Sequence, residues 1–546
     1  MCQVEEEYSG PLEKTSLPTV SKKCMKCKES TAVLIIRVGD AFCRDCFREY
    51  FVHKFRAMLG KNRVIFPGEK VLLAVSGGPA SSSMLTQVQE GLSRDAPKKL
   101  RFAPGIIYID EGGACDQNAE EREKTLSQME AIFRKTGFPY HIVSLEQVFS
   151  LPNSVLEPVS CGPERPGSSY KAAVDQYLQQ KEVNQRQGQL ATEEAQDAVA
   201  HLSVQASQVS PEHKQALEKL FSSLKTLTAR QDMLQTLRQH LILHTARLNG
   251  YSKVMMGDSC TRLAIRLLSN ISLGRGASLA VDTGFSDPRY GDVVIVRPMR
   301  DYSSKEIAFY NRLFGVRSLF ISGLGTKTSN KASIQQLTES FVIKLQADFP
   351  STVSTIYRTS EKLHTACPPQ TSGAVAADKC LLCLCAVCNK AGKSQHQHYH
   401  FYYKHFVDAA SASHASLISE RLSRGELGME AKIDPASCCP SGTLDPFSCQ
   451  REGQGCGEGG SCTAARAPAP ADLKSLLCYS CRLTVEDMAA EDTLPPYITS
   501  EAEKRWNSMS RLRANPAAPF TRAESQNNRI DTEAHTWAPR CRDKGR

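Results

Sequence analysis

Cys24-Met25-Lys26-Cys27 and Cys43-Arg44-Asp45-Cys46 are separated by fifteen residues, a C-x2-C-x15-C-x2-C spacing that suits a four-thiolate zinc site. Each C-x-x-C turns two sulfurs toward one point, and two such knuckles complete a tetrahedron. Four protein thiolates leave no coordination position for a substrate, so the metal expected here is structural. A second chemical signal is Ser76-Gly77-Gly78-Pro79-Ala80-Ser81-Ser82-Ser83, directly after the apolar run Lys70-Val71-Leu72-Leu73-Ala74-Val75. A buried strand, a Gly-Gly turn and a serine-rich helix start make an anion cradle. The glycines admit close backbone approach, free N–H groups face the ligand, and the helix dipole favours negative charge. Ser76, Gly77, Gly78, Ser81 and Ser82 are the candidate phosphate-binding residues. The Gly-Lys-Ser/Thr ending of a Walker loop is missing.

The C-terminal thiols suggest a second metal site. Cys380-Leu381-Leu382-Cys383 and Cys478-Tyr479-Ser480-Cys481 would supply four ligands across a gap of 94 residues. Loop-closure entropy grows slowly with length, so the gap does not forbid the site. Cys385-Ala386-Val387-Cys388 offers a competing knuckle, and the ligand set stays open between them. His396, His398, His400 and His405 lie in a long polar insert, where alternating histidines are a weak metal signal. Cys115, Cys161 and Cys260 stand singly in the middle of the chain and read as inert buried thiols.

The elements that must position these groups follow an α/β pattern. Strand-like runs at Lys70–Val75, Gly105–Asp110, Tyr140–Val143, Lys253–Met256 and Val293–Val296 alternate with helical stretches such as Ala119–Phe133 and Met233–Asn249. That alternation predicts a parallel, doubly wound sheet. Ala32–Ile36 is a plausible strand inside the zinc ribbon. Phe47–Phe66 interleaves Tyr50, Phe51 and Phe55 with Arg48, His53, Lys54, Arg56, Lys61 and Arg63. Read as a helix, it either offers a basic surface to an RNA backbone or docks the ribbon onto the next domain.

The chain has 546 residues, 41% hydrophobic and 23% charged, with a net charge of +9 and 21 cysteines. Length and composition suit several globular domains and exclude a fibrous or wholly disordered chain. The basic excess is compatible with nucleic acid without demanding it. An acidic N-terminus without an apolar run argues against a secretory signal, and no stretch is long enough to span a bilayer. The expected setting is cytoplasmic, which favours metal binding over disulfides for paired cysteines. The expected divisions are a disordered 1–20, a zinc ribbon with basic helix at 21–66, and an α/β domain at 67–365 with a polar insertion near 180–215. A Cys-rich region with a long disordered insert follows at 366–500, then a disordered tail at 501–546.

The serine-rich loop resembles the S-G-G-x-D-S loop of PP-loop ATP pyrophosphatases. That resemblance implies ATP cleavage between the α and β phosphates, with AMP placed on a carbonyl oxygen to activate it. The two N-terminal knuckles, Phe66-Pro67-Gly68-Glu69-Lys70-Val71-Leu72-Leu73, the loop, Gly257-Asp258-Ser259-Cys260-Thr261-Arg262, Arg297-Pro298-Met299-Arg300-Asp301 and the last knuckle occur in order. This combination resembles the cytoplasmic tRNA 2-thiolation protein 2 family over about residues 20–365 and 475–500. Such a resemblance implies a subunit of a complex that 2-thiolates the wobble uridine of the Lys, Glu and Gln tRNAs. Its partners would be a catalytic paralogue, tRNA, and a ubiquitin-related modifier carrying sulfur as a thiocarboxylate, with no membrane involved. Zinc is the implied cofactor; the resemblance leaves open whether an iron–sulfur cluster is present.

The departures from the active pattern point to a non-catalytic or degenerate subunit. Ala80 stands where active loops carry aspartate, and Pro79 where lysine is frequent. Where the catalytic paralogue reads roughly G-H-N-x-D-D, this chain reads Gly257-Asp258-Ser259-Cys260-Thr261-Arg262. Loss of polar partners weakens the hold on ATP and Mg²⁺. Two rival readings remain: a zinc-dependent interaction scaffold without nucleotide chemistry, and a self-sufficient PP-loop synthetase, which Ala80 opposes.

Overall fold

The computed structural model describes residues 22–36, 40–93, 99–157, 170–187, 210–326, 328–329, 332–363, 379–385, 387 and 473–514. The His396–His405 cluster, Cys161 and Cys388 lie outside them, as do the termini and most of the two inserts.

Two short antiparallel strands, β1 (Leu34–Ile35) and β2 (Ala41–Phe42), lead into helix α1 (Arg44–Asn62). Phe47, Phe51 and Phe55 recur every four residues and are fully buried, forming one apolar stripe along α1. β3 (Lys70–Ala74), α2 (Pro79–Leu92), β4 (Ala103–Asp110), α3 (Ala119–Arg134) and β5 (Tyr140–Ser144) follow. The next elements are α4 (Tyr170–Gln187), α5 (Pro211–Ser223), α6 (Leu227–Leu248), β6 (Lys253–Met256) and α7 (Cys260–Ser272). Then come α8 (Leu279–Thr283), β7 (Ser286–Asp287), β8 (Val294–Val296), α9 (Ser304–Phe314), α10 (Ile334–Asp348) and α11 (Pro350–Thr359). The last elements are α12 (Tyr479–Glu486) and α13 (Pro496–Ala514).

The six strands stand in the order β5-β4-β3-β6-β8-β7, all parallel except the edge pair β7–β8. Val71, Leu72 and Leu73 have no exposed surface, because helices cover both faces, as parallel sheets require. Their side chains alternate between two cores. Val71 and Leu73 join Met84, Val88, Met129 and Phe133 on one face. Leu72 joins Leu220, Leu237 and the C-terminal segment on the other.

All five strands expected from the sequence are present. The two-residue edge strand β7 is additional, being too short to carry an alternation signal. The expected disorder from residue 501 is corrected: α13 runs to Ala514, and Tyr497, Ile498, Glu501 and Ala502 are buried along one side. Its polar composition conceals that stripe. Among the described residues no helix is long and apolar enough to cross a membrane.

Candidate functional site

At the N-terminus, the Sγ atoms of Cys24, Cys27, Cys43 and Cys46 all lie within 4.8 Å of one another. Backbone bonds build the first knuckle: Cys24 N–H donates to Ser30 O (2.8 Å), and Lys28 N–H to Cys24 O (2.9 Å). Lys28 takes a left-handed φ of 61° that reverses the chain after the second thiol. The second knuckle opens α1, since Cys43 is its N-cap and Cys46 lies in the first turn. Burial opposes ionisation of Cys24, but backbone N–H groups of Cys43, Cys27 and Lys26 outweigh it and bring the thiol to about 6. The donor set fits a metal that prefers four soft, tetrahedral ligands.

The serine-rich loop sits at the carboxyl end of β3, between β4 on one side and β6 on the other. Strand order reverses there, and open α/β sheets bind ligands in that crevice. Gly77 has a φ of +78°, and an added Cβ would meet Met129 Sδ at 2.9 Å. Gly257, just past β6, is packed against the same turn: a Cβ there would lie 2.9 Å from Ser81 N. Both glycines are therefore dictated by close approach.

The hydroxyls of the loop are turned inward. Ser81 Oγ donates to Gly78 O (3.1 Å), and Ser82 Oγ to Gly77 O (3.2 Å). Ser76 Oγ and Ser81 Oγ are 3.3 Å apart, and Ser83 Oγ donates to Asn311 Oδ1 on α9 (2.6 Å). Pro79 occupies the first helical position, where it has no N–H to offer an anion. The loop keeps the shape of a cradle while lacking one donor and any charged side chain.

Charged groups around the crevice are likewise paired within the chain. Asp258 accepts from Arg266 Nη1 (2.9 Å), and Arg297 Nε lies 3.3 Å away. Burial would raise its carboxyl, yet Arg266 and Arg297 hold it below the ordinary range. Glu111 pairs with Arg238, and Arg122 bridges Asp110 (2.6 Å) and Glu146 (2.7 Å). A segment crosses the loop, with Leu319 N–H donating to Gly77 O (2.8 Å) and Gln117 Nε2 to Ser322 O (2.6 Å). Arg266 lies on α7 eight residues beyond Asp258, which precedes the helix, so the pair is made by the fold and not by helical neighbour spacing.

A cavity of about 860 Å³ begins at Ser76 and Ser81, passes Gly257–Ser259, and reaches Asp232, His240, Leu382 and Cys383. The phosphate-type loop and the C-terminal thiols thus border one space, which their separation in sequence did not reveal. Cys380, Cys383, Cys478 and Cys481 have Sγ atoms within 4.8 Å of one another. Cys478 N–H donates to Cys380 Sγ (3.3 Å), and Leu381 N–H to Leu476 O (3.1 Å), closing the long gap. His240, buried on α6, donates from Nε2 to Leu382 O (2.8 Å) and accepts at Nδ1 from Tyr497 Oη (2.7 Å). It ties the first knuckle to α13. Burial pushes its imidazole down to about 4, so it stays neutral.

Among the described residues, the central thiols Cys115 and Cys260 are not poised nucleophiles. Burial pushes Cys115 up to about 12 and Cys260 up to about 11. The basic face of α1 is partly consumed in docking. Lys54 Nζ binds Glu306 (2.7 Å), and Arg48 binds Glu90 (3.1 Å). His53, Lys61 and Arg63 remain exposed.

Residues 333–483 match the family model described as cytoplasmic tRNA 2-thiolation protein 2. The zebrafish (Danio rerio) protein of that name is 64% identical over 510 residues, covering 92% of this chain and 96% of the relative. The human (Homo sapiens) protein is 49% identical over 520 residues, covering 92% of this chain and 95% of the relative. Among solved structures, U34-tRNA thiolase NcsA from Methanococcus maripaludis, with its 4Fe–4S cluster, aligns at a TM-score of 0.41 and 15% identity. That alignment covers 66% of this chain and 94% of the thiolase.

Proposed function

The chain belongs to the cytoplasmic tRNA 2-thiolation protein 2 family, and from that premise we propose that it is the non-identical partner subunit of a tRNA wobble-uridine thiolase. In this reading the complex 2-thiolates the Lys, Glu and Gln tRNAs in the cytoplasm. Sulfur arrives as a thiocarboxylate on a ubiquitin-related modifier, and a catalytic paralogue adenylates the uridine. This chain supplies a PP-loop-type scaffold of residues 67–365 flanked by two structural zinc sites. The ligands are Cys24, Cys27, Cys43 and Cys46 at one site and Cys380, Cys383, Cys478 and Cys481 at the other.

The observation that carries the division of labour is the state of the crevice. Ser76, Gly77, Gly78, Ser81 and Ser82 retain the turn, but their hydroxyls bond to their own loop. Asp258 is already neutralised by Arg266 and Arg297. Phosphoryl chemistry depends on free cationic or metal-holding groups aimed at the transferring phosphate. None of the loop's own side chains is charged, so the loop supports a relic of nucleotide binding better than a catalytic site.

The test is reconstitution of this chain with its paralogue, tRNA Lys, ATP and a thiocarboxylated donor. Thiouridine is expected only when both subunits are present. Full rate and affinity from the paralogue alone would refute the partner role.

A further inference from the structure

The C-terminal thiol cluster differs from the N-terminal one by a fifth sulfur. Cys385 Sγ lies 3.0 Å from Cys383 Sγ, whereas Cys383 and Cys478 are 3.6 Å apart and Cys27 and Cys43 are 4.0 Å apart. The cause is the residue between them. Leu384 adopts a left-handed φ of 56° with its side chain buried, which folds the chain so that both neighbouring thiols fall on one side. Two backbone bonds lock that turn: Leu384 N–H donates to Cys380 O (3.0 Å) and Cys380 N–H to Cys385 O (2.8 Å).

Access is as uneven as spacing. Cys380 and Cys481 are buried, while Cys383, Cys385 and Cys478 are each half-buried, and of these thiols Cys383 lines the large cavity. In the pair with the shortest sulfur–sulfur distance, Cys383 is therefore the thiol that a small solute in the cavity meets. Among the described residues the N-terminal cluster has no fifth thiol beside it.

The geometry points to a thiol-oxidation site in which Cys385 is the resolving partner of Cys383. A peroxide-class oxidant entering through the cavity meets the Cys383 thiolate, which takes one oxygen and, with one proton from solvent, becomes a sulfenic acid as the first water leaves. The Cys385 thiol then attacks that sulfur and displaces hydroxide, which takes the Cys385 proton and leaves as the second water. The two sulfurs lose two electrons, one S–S bond forms, and the peroxide with one solvent proton and the thiol proton becomes two waters. Cys383 is then no longer an anionic ligand. The C-terminal site is left with three thiolates and releases its metal, while the N-terminal site keeps its own. The release step rests on the metal-site reading above; the disulfide step does not.

The full-length chain, loaded with zinc and counted before treatment, should carry two equivalents. Hydrogen peroxide should then release one, with fragmentation mass spectrometry of the tryptic peptide 380–390, after the remaining free thiols are alkylated, placing a disulfide between Cys383 and Cys385, reversed by a dithiol. In C385S, release should slow by about tenfold or more, because the sulfenic acid lacks its resolving thiol. A wild-type release rate in C385S, or a disulfide joining Cys383 to Cys478, would overturn the proposal. A chain holding only one zinc before treatment would count against the metal-site reading, and the mapped disulfide would still decide the pairing.

Discussion

Glu306 shows how much one carboxylate can hold in place. It accepts from Lys54 Nζ (2.7 Å) and Tyr50 Oη (2.9 Å) on α1, and from Ser303 N–H (2.7 Å) as the capping box of α9. Burial would raise its pKa, yet Lys54 outweighs that and holds it below the ordinary 4.5. A carboxyl with a depressed folded-state pKa contributes stability that is fully present above the unfolded value and lost as pH falls through the folded one. Replacing it with Gln leaves half-buried Lys54 without its counter-charge, so E306Q should cost about 3 kcal/mol in urea denaturation at pH 7. The same variant should lose part of the acid-induced decline below about pH 4.5. A stability and acid slope equal to those of the wild type would contradict the assignment.

Elements explain which parts of this structure the sequence reveals. The long apolar runs at β3, β4, β5, β6 and β8 are bounded by glycine and polar turns, so period and punctuation agree. The two-residue β7 owes its place to pairing with β8 instead, Ser286 opposite Val296 and Asp287 opposite Ile295. Pro496 opens α13, where proline suits the first turn, but the charges that follow hide the buried stripe of Tyr497, Ile498 and Ala502. The N-terminal four-cysteine cluster is legible from C-x-x-C spacing, whereas at the C-terminal one the spacing leaves Cys385 and Cys388 in competition and it is the fold that groups Cys380, Cys383, Cys478 and Cys481. The closeness of Cys385 is not legible, because it depends on one left-handed leucine.

Helix α1 was read with two possible roles, RNA contact or docking, and its aromatic stripe favours the second. Phe51 stacks on Tyr310 at 3.9 Å between ring centroids and meets Tyr302 at 4.5 Å, while Tyr302 Oη donates to Phe51 O (2.5 Å). F51A should therefore lower stability by about 3–5 kcal/mol, as expected for a buried aromatic truncated in a packed core. A loss below about 1 kcal/mol in chemical denaturation would show that the ribbon is not docked this way.

At the scale of the described residues, the fold brings Cys383 of the C-terminal thiol cluster, buried ion pairs and the serine-rich loop around one cavity. Exposed Lys61 on α1 and Arg63 just past its end, with half-committed Arg48, are basic groups that an RNA backbone could reach. Reversing these three charges should lower tRNA affinity and flatten its dependence on salt, since fewer counterions are released on binding. Unchanged binding in a titration over several salt concentrations would exclude this face.

In the proposed division of labour, this chain keeps the architecture of a nucleotide-activating subunit and leaves the chemistry to its partner. The most direct measurement follows AMP formed from ATP with this chain alone, the paralogue alone, and the two together with tRNA. No AMP above background is expected from this chain alone, and the full yield from the pair. AMP formation by this chain by itself, abolished by substitutions in Ser76–Ser82, would contradict it.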